Sequence, residues 1–467
     1  MGYTKIKYFP LLSILIGGVT LFIMLSPWGK LVPGMPMNSY RVFELAYLFA
    51  VGVCAFFVGE RKWGGSIMFL LSLFILALVT TTSAFYGAQS LQDMGLFAGI
   101  VWAGLWLCRC NFECSVRLTS FMSLCWLLPA TQYSFLFVLE MFFTVAVGSV
   151  TGGGLYIPGF SNIRQFNDLQ SLLLPVIYYY AIAPNHHMVK KIATVNAVVW
   201  TVLLFYTGAR GHGLGYLVAG LSVFFLFPSL VRPHLLKIIT IILCSCLVYG
   251  LLLALLPSGI SGNSVVRGGL SNREVLWAWV IENFFVCFWG CGGQSFAQLS
   301  MFNDVGLPAF GSPHNMLLSF LYEYGFLFVF VLVVLWGIYL NWLVKETTKL
   351  EYLVFIFVVT SVSVSSLFAG ALYSPFLGII FPMLVAQFSP KLSGDKRNNS
   401  RIRIKHYLVG TFLFTIFVLS LPVAVLDWHY FHEELSSQGN YAPRFYENGN
   451  FYLKGSYRGY HPLDVGP

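Results

Sequence analysis

Long apolar runs separated by short polar stretches fill the chain from residue 8 to residue 427. A helix that crosses a bilayer needs roughly 20 mostly apolar residues, and thirteen segments approach or exceed that length. They are 8–28, 41–59, 65–87, 93–108, 118–146, 168–184, 190–208, 212–231, 237–256, 318–343, 351–370, 372–389 and 407–427. Because only a short Gly- and Pro-containing stretch divides 351–370 from 372–389, the pattern predicts an all-α polytopic membrane protein with 12 or 13 transmembrane helices.

Basic residues alternate from one side of these segments to the other. The N-terminus and the loops after even-numbered segments are rich in Lys and Arg, and the remaining loops are mostly poorer in them. The basic positions are Lys5, Lys7, Arg61, Lys62, Arg109, Arg117, Lys190, Lys191, Arg232, Lys237, Lys345, Lys349, Lys391, Lys396, Arg397, Arg401, Arg403 and Lys405. Since cytoplasmic loops carry the excess of Lys and Arg, we expect a cytoplasmic N-terminus and an outside tail from Asp427 onward.

This topology leaves three longer segments outside. We expect one membrane domain over residues 1–427, with the long periplasmic loop at about 257–316 inserted, and a short periplasmic tail over 428–467. The loop 147–167 lies on the same side. Within 257–316 the pattern indicates an amphipathic helix around 272–288.

The composition excludes a soluble protein. Of the 467 residues, 57% are hydrophobic and 10% are charged, against about 25% charged in soluble domains, and the mean hydropathy is +0.76. The net charge of +9 comes from short loops between apolar runs. It therefore indicates topology and contact with membrane lipid, and we expect no nucleic-acid partner.

Cysteine usage predicts no metal site. Cys108, Cys110 and Cys114 cluster at a helix end but lack the fourth ligand of a structural zinc site. Cys287 and Cys291 are close enough in sequence to pair, although nothing in the sequence demands it.

Arginine is disfavoured on the predicted outside face, so the arginines in the loops on that side, Arg164, Arg210, Arg267 and Arg273, are informative. An Arg fork binds phosphate oxygens in pairs; the alternatives are a headgroup anchor or a carboxylate partner. For Arg210 we favour anion binding. Its turn, Thr207–Gly213, contains Gly211 and Gly213, which would let the backbone approach a ligand closely.

Other polar residues extend this candidate chemistry. Pro313 fits the first turn of a helix, which would put His314 in that turn, where the helix dipole favours a neutral imidazole able to act as a general base. The alternative is an interfacial His that only forms hydrogen bonds. Glu323 follows about two and a half turns later, and His212 could assist Arg210. Glu44 and Glu140 lie within or near apolar runs, where a carboxylate is usually functional or paired.

Several motifs occur together and in order. Along the chain they are Asn162–Gln170, the Thr207–Gly211 turn, Ser271–Trp279, the glycine-rich Phe288–Phe296, and His314–Asn315 followed by Glu323–Gly325. In this order, over residues 160–330, they resemble the O-antigen ligase and O-antigen polymerase superfamily.

The resemblance implies a transferase that moves a glycan from an undecaprenyl-diphosphate carrier to an acceptor on the periplasmic face of the bacterial inner membrane, without metal or cofactor. Arg210 and Arg273 (or Arg267) would bind the diphosphate and His314 would activate the acceptor hydroxyl. The matching substrate-binding residues would be Arg267, Arg164, Asn315, Gln170 and Glu323. We expect these groups to meet in one outward cavity.

The acceptor stays open. The leading expectation is the lipid A core, as in an O-antigen ligase. An odd helix count with an outside tail resembles instead some protein O-oligosaccharyltransferases that act on pilins, and a repeat-unit polymerase would use another carrier-linked glycan. From a different class, a secondary transporter or flippase would use Glu44 and Glu140 as ion sites. No nucleotide-binding or hydrolase motif appears in a plausible context, which argues against an ATP-driven pump.

Overall fold

The computed structural model describes residues 9–26, 36–58, 95–104, 116–147, 160, 163–183, 187–255, 273–293, 295–296, 312–368 and 374–389. In these ranges the regular structure is helical. The helices are α1 Phe9–Met24, α2 Pro36–Val58, α3 Gly95–Gly104, α4 Val116–Val147, α5 Ile163–Ile182, α6 His187–Thr207, α7 Arg210–Leu226, α8 Pro228–Leu255, α9 Arg273–Glu282, α10 Met316–Glu346, α11 Leu350–Ser366 and α12 Pro375–Phe388.

The chain is an all-α polytopic membrane protein, as the apolar pattern predicts. Eleven of the thirteen predicted segments contain one of these helices, and 351–370 and 372–389 correspond to two separate helices, α11 and α12. Within the described part of the chain, four helices are long and apolar enough to cross a membrane: α4 over Met122–Ala146, α6, α8 and α10. Segments 65–87 and 407–427, the tail 428–467 and most of the loop 257–316 lie outside the described residues.

The chain forms two compact units. The first holds α1, the first half of α2 up to Tyr47, α4 to α8, α11 and α12. The second holds α2 from Leu48 onward, α3, α9 and α10 as far as Trp342.

Closely packed aromatic rings lie in the core of the first unit. Phe160 and Phe166 lie against Tyr133, with ring centroids 5.8 and 5.0 Å away. Trp200 joins this group, 5.6 Å from Phe166, and its indole nitrogen donates to the Ala130 carbonyl at 3.2 Å. These rings bind α4, α5 and α6 together just where α5 begins, so they fix the position of the helix that carries Arg164.

Small residues bring helices of the first unit into close contact. Gly215 of α7 packs so tightly on α11 that an added Cβ would lie 2.6 Å from the Ser361 carbonyl oxygen and from the Ser365 hydroxyl. Small residues commonly permit such approaches between membrane helices. The close approach at Gly215 therefore fixes the spacing between α7 and α11 at this point.

Glu44 of α2 is buried and forms an ion pair with Arg41, one turn earlier on the same helix. Its carboxylate lies against Gly378 of α12, where any side chain would collide with it. Of the two alternatives for this carboxylate, functional or paired, the structure shows the paired one.

In the second unit α9 is shorter than the pattern predicts. The amphipathic helix expected around 272–288 ends at Glu282, and Asn283–Trp289 forms consecutive turns. Leu276 and Val280 of α9 pack with Cys287, Cys291 and Phe296 in one buried cluster. Helix formation stops because the chain folds back here onto α10.

Candidate functional site

Arg210 is the first residue of α7 and its side chain is exposed. The chain reaches it through a sharp turn in which Gly208 has a φ of 60°, a value that glycine adopts without steric cost. The glycines that follow differ in use. Gly211 packs on Phe368, whose Cβ would be 2.9 Å from an added Cβ, whereas nothing lies within 4 Å of such an atom at Gly213. The absence of a side chain at Gly211 therefore lets α7 pack against Phe368. Of these two glycines, only Gly213 has open space beside it, as we expect at a ligand contact.

His212 is linked to a residue that sequence reasoning missed. Its Nε2 lies 3.0 Å from Oδ1 of Asp168 on α5, and both side chains are buried. Arg164, one turn before Asp168, interacts with the same carboxylate electrostatically. Asp168 thus connects the helix that carries Arg164 to the first turn of α7, and the available signal was its i,i+4 spacing from Arg164.

Gln170 makes a contact between helices. Its Nε2 donates to the Trp200 carbonyl at 2.9 Å and the side chain is fully buried. Gln170, six residues after Arg164, therefore links α5 to α6.

His314 has a left-handed backbone with a φ of 53° and, among the described residues, is the only one other than glycine with a positive φ. The expectation that His314 lies in the first turn of a helix is wrong, since α10 begins at Met316. Asn315 occupies the capping position instead: its Oδ1 accepts from the Leu318 amide at 3.2 Å. His314 therefore precedes the helix, with its half-buried side chain on a sharp corner.

Helix α9 holds this corner in place. The indole Nε1 of Trp277 donates to the Pro313 carbonyl at 2.8 Å. Arg273 lies one turn before Trp277 on the same helix and is half-buried. The hydrogen bond therefore joins the element that carries Arg273 directly to the corner that carries His314. Arg267 lies outside the described residues.

Two glycine motifs that are separate in sequence form one backbone joint. Gly290 and Gly325 have φ values of 100° and 84°, and a Cβ at Gly325 would lie 2.5 Å from the Trp289 carbonyl carbon. The amide of Gly292 donates to the Glu323 carbonyl at 2.8 Å, and the Glu323 side chain is fully buried. Only glycine fits this crossing, which explains the glycine at both positions.

Cys287 and Cys291 form a disulfide in the turn that carries Gly290. The sequence left this pairing open. In the part of the chain that the structure describes, no group of three or more His, Cys, Asp or Glu residues is placed to hold a metal ion.

No protein family model and no curated protein matches the sequence. The candidate residues are therefore grouped by the structure alone: Arg164, Asp168, Arg210 and His212 in the first unit, and Arg273, His314, Asn315 and Glu323 in the second.

Proposed function

We propose that the chain is an inner-membrane glycosyltransferase that moves an undecaprenyl-diphosphate-linked glycan to a periplasmic acceptor, with the lipid A core as the acceptor. The ordered motifs first indicated this chemistry. The observation that carries the proposal is the conformation of His314.

A left-handed backbone costs a residue with a Cβ about 1–2 kcal/mol. Such conformations persist where the surroundings impose them, and they cluster at functional sites. At His314 the surroundings are the Trp277–Pro313 hydrogen bond before it and the Asn315 cap after it. An imidazole held on a rigid corner is what a general base requires, because catalysis depends on its position relative to the acceptor hydroxyl.

In the proposed reaction the acceptor oxygen forms a bond to the anomeric carbon of the donor sugar. The bond from that carbon to the diphosphate oxygen breaks, and its electron pair leaves with undecaprenyl diphosphate. His314 takes the proton of the acceptor hydroxyl, a contribution typically worth about 10²–10⁴-fold in rate. Arg273, on the helix that is bonded to the His314 corner, stabilises the charge on the leaving diphosphate. Arg210 stays the second diphosphate-binding residue that the ordered motifs predict.

One observation favours a transporter: α10 is interrupted at Gly325, and discontinuous helices form ion sites in secondary transporters. The backbone groups at this interruption are engaged, however. The carbonyls of Tyr322 and Glu323 accept from the amides of Cys291 and Gly292. Glu44, the carboxylate best suited to bind an ion, pairs with Arg41. A transferase is therefore the better proposal.

The test is transfer by the purified full chain in lipid, with an undecaprenyl-diphosphate oligosaccharide as donor and with lipid A core, a pilin or a second donor molecule as acceptor. His314→Ala and Arg210→Ala should each lower transfer at least about 100-fold. The matched controls are His187→Ala and Arg232→Ala, which remove exposed side chains on the predicted cytoplasmic side.

Normal transfer by both site variants would contradict the proposal, as would a wild-type chain that transfers to none of the three acceptors. Transfer to the pilin or to the second donor alone would keep the donor chemistry and replace lipid A core as the acceptor.

A further inference from the structure

The segment Asn283–Trp289, which we term the aromatic turn, exposes large apolar side chains. Phe285 is 83% exposed, Trp289 64% and Val286 51%. Cys287 between them is buried and is bonded to Cys291. A disulfide-closed turn that presents two aromatic rings outward requires a partner of matching chemistry.

Backbone hydrogen bonds fix where this turn lies along α10. The amide of Phe326 donates to the Phe288 carbonyl at 2.9 Å, and the amide of Cys291 donates to the Tyr322 carbonyl at 2.9 Å. The aromatic turn is therefore level with the Gly325 interruption and with the residues that follow it.

That level coincides with one end of the strongly apolar part of α10. Residues 326–343 contain no charged side chain and extend over about 27 Å as a helix, close to the roughly 30 Å of a bilayer's hydrocarbon core. Glu323 lies just before this stretch and Lys345 just after it. The aromatic turn is consequently at the boundary between hydrocarbon and headgroups, where Trp is enriched in membrane proteins.

A continuous series of rings connects the turn to the exposed side of α10. Phe288 stacks on Phe326 with centroids 5.7 Å apart, and Phe326 stacks on Phe330 at 6.2 Å. Phe330 is 55% exposed and Ile338, two turns further on, is 60% exposed. The apolar surface of the turn thus continues into the surface by which a spanning helix contacts lipid.

Irregular backbone can approach hydrocarbon only if its polar groups are paired. Part of the turn meets this condition with bonds of its own: the amide of Phe284 donates to Ile281, that of Cys287 to Asn283 and that of Gly290 to Cys287. Together with the bonds to α10, these pair part of the backbone of a segment that lies at the end of the apolar stretch, where the remaining groups can reach water and headgroups.

We propose that the aromatic turn is a membrane anchor that inserts Phe285 and Trp289 among phospholipid acyl chains beside α10. The inference is independent of the proposed transferase activity. In this proposal the disulfide and the Gly290–Gly325 crossing hold the inserted turn at a fixed depth in the bilayer.

The test places the photo-reactive residue p-benzoylphenylalanine at Phe285 in the full chain, reconstituted in nanodiscs of phosphatidylethanolamine and phosphatidylglycerol. Irradiation should give a protein–phospholipid adduct by mass spectrometry. Hydrolysis of the acyl ester bonds should then release the glycerophosphate headgroup and the second chain, and leave the mass of one fatty acid on the protein. The same residue at Phe330, on the exposed side of α10, is the positive control. At Lys349, exposed after the end of α10, it is the negative control.

An adduct at position 285 as abundant as at 330, and several-fold above 349, is the expected result. Crosslinks from 285 to another segment of the chain or to a second copy, without lipid adducts, would overturn the proposal. Lipid labelling at 285 no higher than at 349 would do the same. Elution of each variant as the wild-type species on gel filtration verifies that it is folded.

Discussion

At the scale of single residues, the backbone of His314 in the second unit is conformationally strained. His314 occupies a backbone conformation that residues with a Cβ rarely adopt, at a corner fixed by Trp277 before it and Asn315 after it. Glycine or asparagine would satisfy that backbone at lower cost. The proposed catalytic role of the ring would account for a histidine at this position.

Substitutions at His314 can distinguish the effect of the strained backbone on stability from the effect of the imidazole ring on transfer. His314→Gly should be more stable than His314→Ala by about 1–2 kcal/mol, because it removes the left-handed strain, and His314→Asn should fall between them. All three should lose transfer equally, since none carries an imidazole. Thermal unfolding in detergent measures the first effect and the transfer assay the second. Equal stability of the Gly and Ala variants would contradict the strained conformation.

The contact between Asp168 and His212 can also be tested by substitution. Asp168→Ala leaves the buried His212 ring without its acceptor, and we expect a loss of about 1–3 kcal/mol in the free energy of unfolding. Asp168→Asn keeps an acceptor oxygen and should lose less. The matched control is Tyr178→Phe on the same helix, which removes a 2.9 Å bond to Thr201. Thr201 still donates to the Ala197 carbonyl, so this change should cost little.

Thermal unfolding of the three variants measures these differences. An Asp168→Ala variant as stable as Tyr178→Phe would mean that the Asp168–His212 contact contributes nothing. Combining Asp168→Ala with His212→Ala should recover part of the loss, because neither buried partner then remains unsatisfied.

At the scale of elements, α10 and the turn before it form one structure. The helix stops being regular at Gly325, and the chain from Phe288 to Gly292 supplies the hydrogen bonds that a continuous helix would have made internally. A break inside an apolar helix is tolerated when other protein groups pair with it. The crossing at Gly290 and Gly325 thus joins the aromatic turn to the helix.

Gly325→Ala should disrupt this joint. The new Cβ would collide with the Trp289 backbone, and the positive φ alone costs about 1–2 kcal/mol. The matched control is Gly337→Ala on the same helix, where nothing lies within 4 Å; it should be neutral or slightly stabilising. Thermal unfolding of both variants measures the difference. A Gly325→Ala variant as stable as Gly337→Ala would contradict the close crossing.

Apolar periodicity predicted helices well and their boundaries less well. It located the helices of the described membrane segments because twenty apolar residues in a row have few alternatives in lipid. It placed His314 inside α10 because Pro313 fits a first helical turn, but Asn315 caps the helix more effectively through its side chain. It extended α9 to residue 288 because the pairing of Phe288 with Phe326 depends on a contact distant in sequence. Asp168 was missed although it lies four residues after Arg164, because its partner His212 is distant in sequence.

At the scale of the whole molecule, the predicted topology accounts for several separate features. The basic residues Arg232 and Lys237 lie near the start of α8, and Lys345 lies in the last turn of α10. Cys287 and Cys291, in the segment between those two helices, form a disulfide, and disulfides persist in oxidising compartments such as the bacterial periplasm. That the segment between α8 and α10 lies outside the cytoplasm stays a prediction of this topology.

Reporter fusions test this topology and decide between 12 and 13 spans. Alkaline phosphatase is active only outside the cytoplasm, and green fluorescent protein fluoresces when it folds inside. Fusions after Leu255 should give active phosphatase and fusions after Lys349 should fluoresce, because Lys and Arg near the ends of spans resist translocation.

A fusion after Pro467 should give active phosphatase if residues 407–427 form the last span. Fluorescence at Pro467 with the other two results unchanged would instead require an even number of spans. The tail would then be cytoplasmic, as expected of an O-antigen ligase, and the tail-based similarity to protein O-oligosaccharyltransferases would be removed.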